Sequence, residues 1–202
     1  MIEIRIDQEA LKELNKKFEK LSSESPGEAK KAVNETAREA KKLLAAGAKA
    51  KYTLKRSNFS GEMKLQSATV GRIEAIIRST GEPIPLIQFK VSKGKRATKA
   101  QVLKKGSPKE LKKASGDIKA FVNNIANRNQ VRKKDTDKGK AGSRVIHVGV
   151  AQRKGKERLT INELYGSSVP KMLEKTFDEK KSVIVEALKN NLDKHIETMM
   201  RG

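Results

Sequence analysis

The sequence predicts an α+β fold: two N-terminal helices, a mainly antiparallel sheet with long basic loops, and a long C-terminal helix. Three observations lead there. Apolar residues recur at helical spacing near both ends of the chain, the period falls toward two between residues 62 and 91, and basic side chains crowd residues 90–158 between short strand-like runs.

The chain is read as one domain over 1–202, with a helical N-terminal part at 1–50, a sheet with basic loops at 62–165 and a closing helix at 168–200. A domain of that length buries roughly 70% of its unfolded surface, so a real core is available. Asp7 is placed to cap a first amphipathic helix in which Leu11, Leu14, Phe18 and Leu21 recur at helical spacing. After the turn "SSESPGE", Ser25, Pro26 and Glu28 supply an N-cap, an N1 proline and the N3 glutamate of a capping box. They open a helix of ~25 residues whose buried stripe is Ala29, Val33, Ala37, Ala40 and Leu44. Small residues dominate that stripe, which permits close approach to another element.

Alternation at Met63, Leu65 and Ser67, a turn at Gly71–Arg72, and renewed alternation at Ile73, Ala75 and Ile77 read as a hairpin. Pro83 and Pro85 bound a third strand, "LIQFKV", best placed at a sheet edge because proline cannot donate to a ladder. The stretch "SKGKRATKAQVLKKGSPKELKKASG" shows no sustained period and reads as a long loop. "DIKAFVNNI" and "RVIHVGVAQR" are strands flanking "ANRNQVRKKDTDKGKAGS", which has the composition of a mobile loop. The closing helix presents Leu173, Phe177, Ile184, Leu188, Leu192 and Met199 near one face, with Pro170 in its entry.

Hydrophobic residues make up 36% of the chain and charged residues 35%, a polar balance for a compact globule. The absence of cysteine excludes disulfides and thiolate metal sites. The start "MIEIRIDQEALKEL" lacks the apolar core of a signal peptide and no run is long enough to span a bilayer, so a cytosolic protein without a membrane partner is expected. The net charge of +22 is concentrated: residues 90–158 carry 22 basic and 5 acidic side chains, whereas 61–89 and 159–202 are each balanced. Such a block attracts polyanions or acidic protein surfaces. Lys104, Lys105, Arg132, Lys133, Lys134, Lys138 and Lys140 are the candidate contacts for DNA or an acidic partner.

Catalysis is not expected, and neither is a cofactor or a metal. His147 alternates with Ile146, Val148 and Val150 and reads as a polar sheet-face residue, while His195 sits at the margin of the last helix's apolar stripe, and no carboxylate lies close to either in an arrangement the sequence makes evident. "DKGKAGSRV" fails the spacing of a phosphate-binding loop. The scattered acidic residues are explained by i to i+4 ion pairs on helices. Between residues 90 and 158 Phe121 is the only aromatic, so the block offers electrostatic, sequence-independent contact with a phosphate backbone and no stacking platform for single strands.

The least generic passage is "RLTINELYGSSVPKML" at 158–173. Locally it is a joint from strand to helix: Gly166 can take a positive φ after Tyr165, Ser167 or Ser168 can cap, and Pro170 fixes the first helical turn. Arg158, Leu159, Ile161, Glu163, Leu164, Tyr165, Gly166, Ser168, Val169 and Pro170 resemble the C-terminal signature of the minor tail protein Z family of tailed bacteriophages and prophages, the tail completion proteins. Thr160 and Ser167 depart from it, standing where the family often has proline. A second passage, "EPIPLIQFKVS", resembles the family's P-I-P-L-x-x-F motif through Pro83, Ile84, Pro85, Leu86 and Phe89. The order of the remaining parts also agrees, including "KYTLKRSNF" and the pair Ala120–Phe121, so that the resemblance spans nearly the whole chain.

The resemblance implies a structural role: a homo-oligomeric, hexameric ring at the head-proximal end of a phage tail tube, assembled in the cytoplasm of a bacterial host. Its neighbours would be the tail tube or tail terminator protein on one side and neck or connector proteins on the other, and the basic block would then serve either non-specific contact with passing DNA or pairing with acidic surfaces on neighbouring tail proteins. The edge strand "LIQFKV", the long N-terminal helix and the C-terminal helix are the expected ring surfaces. The rival expectation, resting on charge alone, is a free-standing basic protein that binds nucleic acid without sequence preference.

Overall fold

The structure is a computed structural model, and it describes residues 2–5, 25–94, 98–112, 118–131, 144–155 and 161–201. The helix expected after Asp7 lies outside these residues. The protein is α+β, with a helix near its start, several small antiparallel sheets and a long final helix. The sequence reads as one domain, and the chain divides into two compact units, Met1–Ala50 with Ser57–Glu82 and Ser168–Gly202, and Lys51–Arg56 with Pro83–Ser167.

Among the described residues the first unit holds two helices. Helix α1 runs Ser25–Lys51 with Glu28 in its first turn, as the capping residues predict, and helix α2 runs Val169–Arg201. All five residues of the expected α1 stripe are buried, joined by Ala32, Thr36 and Ala48. Ala29, Ala32, Val33 and Ala37 pack with Leu188 and Leu192 of α2 and with Ala68 and Ala75. The small residues therefore serve the close approach expected of them, and Gly47 extends it, since a Cβ there would stand 2.7 Å from Thr176 Cγ2. In α2, Leu173, Ile184, Leu188 and Leu192 are buried and Phe177 is half-buried.

A sheet of three antiparallel strands completes this unit, in the order β1 (Ile2–Arg5), β3 (Ile76–Ser79), β2 (Met63–Gln66). Strands β2 and β3 form the expected hairpin, with Met63 opposite Ser79 and Gln66 opposite Ile76. Its tip lies at Val70–Gly71, one residue earlier than expected, closed by paired hydrogen bonds between the backbones of Thr69 and Arg72 at 2.9 and 3.1 Å. Asn34 of α1 binds the hairpin as a peptide group would: its Nδ2 donates to the Ala68 carbonyl at 3.2 Å, and its Oδ1 accepts from the Ala68 N–H at 2.8 Å.

The described residues of the second unit form three sheets. Strands β10 (Ile161–Glu163), β9 (Arg144–Arg153) and β8 (Phe121–Val131) form one, antiparallel throughout. Strands β11 (Tyr165–Ser168) and β4 (Pro83–Pro85) form a second. Strands β5 (Lys90–Lys93), β6 (Thr98–Gln101) and β7 (Lys109–Glu110) form the third, again antiparallel.

Several expectations are corrected here. "LIQFKV" is not one strand: Leu86–Gln88 form a single 3-10 turn, Phe89 is its extended C-cap, and the chain re-enters sheet only at Lys90. Proline at 83 and 85 holds the preceding residues extended, while the buried Leu86 and Phe89 pull the intervening turn inward. The long loop expected after Val91 contains β6 and β7. Their lysines hide a weak alternation in which Thr98 and Ala100 face inward and Lys99 outward. Strand β8 runs past the expected "DIKAFVNNI" into "ANRNQV", where Asn127 is held in the ladder opposite Val145 despite its poor strand propensity, and the register shifts before Val131 pairs with Arg144.

Candidate functional site

The two motifs far apart in sequence meet in one sheet of the second unit. Strand β4 is the P-I-P segment, and its partner β11 is Tyr165–Ser168 of the closing signature. The ladder continues beyond it, because the Leu86 N–H donates to the Leu164 carbonyl at 2.9 Å and the Leu164 N–H donates to the Val150 carbonyl at 2.8 Å. Phe89 is fully buried, and its ring lies against the α-carbon of Gly166. A Cβ on Gly166 would stand 2.5 Å from Phe89 Cε2 and 3.0 Å from Cζ.

The role of Gly166 is thereby corrected. Among the described residues the positive-φ glycine is Gly106, at +113°, and Gly166 is ordinary strand backbone. It must be glycine because Phe89, the last residue of the other motif, occupies the space of a side chain. In the first unit Pro170 is buried in the opening turn of α2, where a Cβ on Gly81 would stand 3.4 Å from its Cδ. Of the other motif residues, Ile84, Pro85, Leu164, Ser168 and Val169 are half-buried, whereas Pro83 and Tyr165 are exposed.

Tyr165 is 54% exposed, and its hydroxyl donates to Glu163 Oε2 at 3.1 Å. The same carboxylate lies 2.9 and 3.0 Å from His147 Nε2. His147 thus has a carboxylate neighbour after all, supplied across the β9–β10 ladder by the signature itself. His195 is likewise engaged in the first unit: its Nδ1 is 2.7 Å from Glu28 Oε2 and its Nε2 is 3.3 Å from Glu35 Oε2. Lys31 lies 2.5 Å from Glu28, and Lys194 lies 3.6 Å from Glu35. The Lys31 ammonium and then His195 hold the Glu28 carboxyl below its ordinary value, and His195 and then Lys194 do the same for Glu35. Among the described residues no three His, Asp or Glu side chains are grouped to hold a metal ion, and no helix is long and apolar enough to cross a membrane.

Of the candidate basic contacts, Lys104 and Lys105 are exposed on a built turn, and Arg132, Lys133, Lys134, Lys138 and Lys140 lie outside the described residues. The turn is tied down from both sides. The Lys104 N–H donates to the Lys51 carbonyl at 2.8 Å, and the Gln101 side-chain amide donates to the carbonyls of Lys104 at 3.1 Å and Gly106 at 2.9 Å. Residues 51–56 of "KYTLKRSNF" brace the same region: Thr53 Oγ1 donates to the Gln101 carbonyl and, at 3.2 Å, to that of Val102, while the Lys55 N–H donates to the Gln88 carbonyl at 2.9 Å. Gln101 and Thr53 were not legible as positioning residues, since neither stands in a periodic run.

Comparison of the chain with protein-family models, with curated proteins and with solved structures finds no match.

Proposed function

We propose that the chain is a structural protein of phage-type tails, a tail completion protein that acts by assembly rather than catalysis. In this reading it forms a closed, hexameric ring at the head-proximal end of the tail tube, between the tube or its terminator and the neck. A ring of identical subunits needs one heterologous interface that closes under rotation. The observation that carries the reading is the meeting of the two resemblance motifs: strands 83–85 and 165–168, from the two passages that match the tail-completion pattern, pair in one sheet, and Gly166 of one passage packs against Phe89 of the other.

Tyr165 is the motif residue offered to a neighbour. It is exposed and hydrogen-bonded through its hydroxyl, so its ring is presented with little rotamer entropy left to lose on docking. Replacement of Tyr165 by Ala removes no buried side chain and leaves the folded subunit intact, while incorporation into tails falls. Tail particles purified from cells making Y165A and wild-type chains, compared by quantitative mass spectrometry, test this. Equal incorporation of the two contradicts the role assigned to Tyr165. Absence of the wild-type chain from tails contradicts the proposed function itself.

The second reading, a basic protein that binds nucleic acid outside any particle, has one observation in its favour, the concentration of positive charge at 90–158. That charge fits the tail reading equally well, because weak, distributed contact suits a channel through which DNA passes.

A further inference from the structure

We infer that the β5–β6–β7 sheet and its Gln101-braced turn form a preorganised binding surface for the phosphate backbone of duplex DNA. The inference rests on the proposed tail role for the identity of the polyanion, and on the geometry for the site. Every described lysine between residues 90 and 120 is exposed, and Glu110 is the one carboxylate among the described residues of that stretch. Cross-strand register sets Lys99 between Ser92 of β5 and Glu110 of β7, and Lys90 opposite Gln101. Lys90, Ser92, Lys99 and Glu110 are exposed on one face, beside the buried Gln101, and Thr98 and Ala100 of the alternate set are buried on the other. Glu110 does not neutralise the face alone, since Lys119 also reaches it, at 3.9 Å.

Two features point to an anionic ligand rather than a solvated face. The first is Lys112, which stands directly opposite Lys119 across an isolated bridge. Like charges so placed destabilise the pairing, and a polyanion lying across them relieves the repulsion. The second is the clamp on the turn that carries Lys104 and Lys105. Gln101 is only 9% exposed and spends its amide on two carbonyls of that turn, while Gly106 takes a conformation that side chains rarely adopt. The chain thus fixes the backbone beneath two adjacent, exposed lysines. Fixing it beforehand reduces the entropy lost on binding.

The chemistry favours duplex over single-stranded DNA. The described cations of residues 90–120 are lysines, which engage phosphates as point charges without reading base sequence. No aromatic residue occurs in that stretch to stack on unpaired bases. Lys104 and Lys105 make contact, and Gln101 acts through them as a positioning residue.

The test is fluorescence anisotropy of a labelled, arbitrary-sequence DNA duplex titrated with the full chain across a salt series. Wild-type protein binds with an affinity that falls steeply with salt. The double variant Lys104→Gln, Lys105→Gln binds about tenfold more weakly at low salt, and its salt slope is shallower by about two, since each neutralised phosphate contributes about 0.9 to the slope. Gln101→Ala lowers affinity roughly threefold through lost preorganisation and leaves the slope unchanged, because no charge is removed. An unaltered affinity and slope in the double variant overturns the inference, as does tighter binding to polyglutamate than to the duplex, which would assign the surface to an acidic protein. Both lysines are exposed, so misfolding does not confuse the result. Failure here leaves the chain's presence in tails unaffected, so the two proposals fall separately.

Discussion

Gly166 lies in strand β11, and the Phe89 ring fills its side-chain space, 2.5 Å from where a Cβ would be. Gly166→Ala therefore costs stability through overpacking, about 1–3 kcal/mol, measurable by denaturant unfolding. Adding Phe89→Leu should recover part of that loss, and strict additivity of the two substitutions would contradict the contact. A second residue-scale prediction concerns pH. Glu28 and Glu35 are held below the ordinary carboxyl value of 4.5 by Lys31, His195 and Lys194. A depressed carboxyl contributes stability that is present above its unfolded value and lost as pH falls through the folded one. Glu28→Gln is thus less stable than wild type near neutrality, and the two converge below pH 4.5. A gap that persists unchanged into acid would show that the carboxylate charge is not what joins α1 to His195.

At the scale of elements, legibility followed the strength of the period. Helix α1 was readable from its first residue, and five of its buried positions were readable, because alanines and Val33 at helical spacing face Leu188 and Leu192 of α2. Leu188 is fully buried, so Leu188→Ala should destabilise the first unit by about 2–5 kcal/mol, seen as a lower midpoint in denaturant. A loss within error would mean that α2 does not seal this core. The short strands were harder. In β6 the inward residues are Thr98 and Ala100, too weakly apolar to register as alternation beside so many lysines. The 3-10 turn at Leu86–Gln88 was hidden inside a run that reads as strand by composition, because nothing local records that Leu86 and Phe89 both turn inward. The contacts of both histidines were invisible for a related reason: Glu163 and Glu28 reach them through pairings distant in sequence.

For the whole molecule, charge and architecture divide the work. The first unit, which holds both long helices, derives its core from aliphatic packing, while the second presents lysines on short strands joined by braced turns. The two motifs stand at places where the chain passes from one unit to the other, at 82–83 and 167–168. The central claim is that this arrangement serves assembly into a tail. Its most direct test is electron cryo-microscopy of tail particles purified from the bacterial host, with the chain labelled by a small epitope tag. The account predicts a closed ring of copies of this chain at the head-proximal end of the tube. Tails that are complete at that end without the chain, or a label found elsewhere on the particle or only in the unassembled fraction, would contradict it.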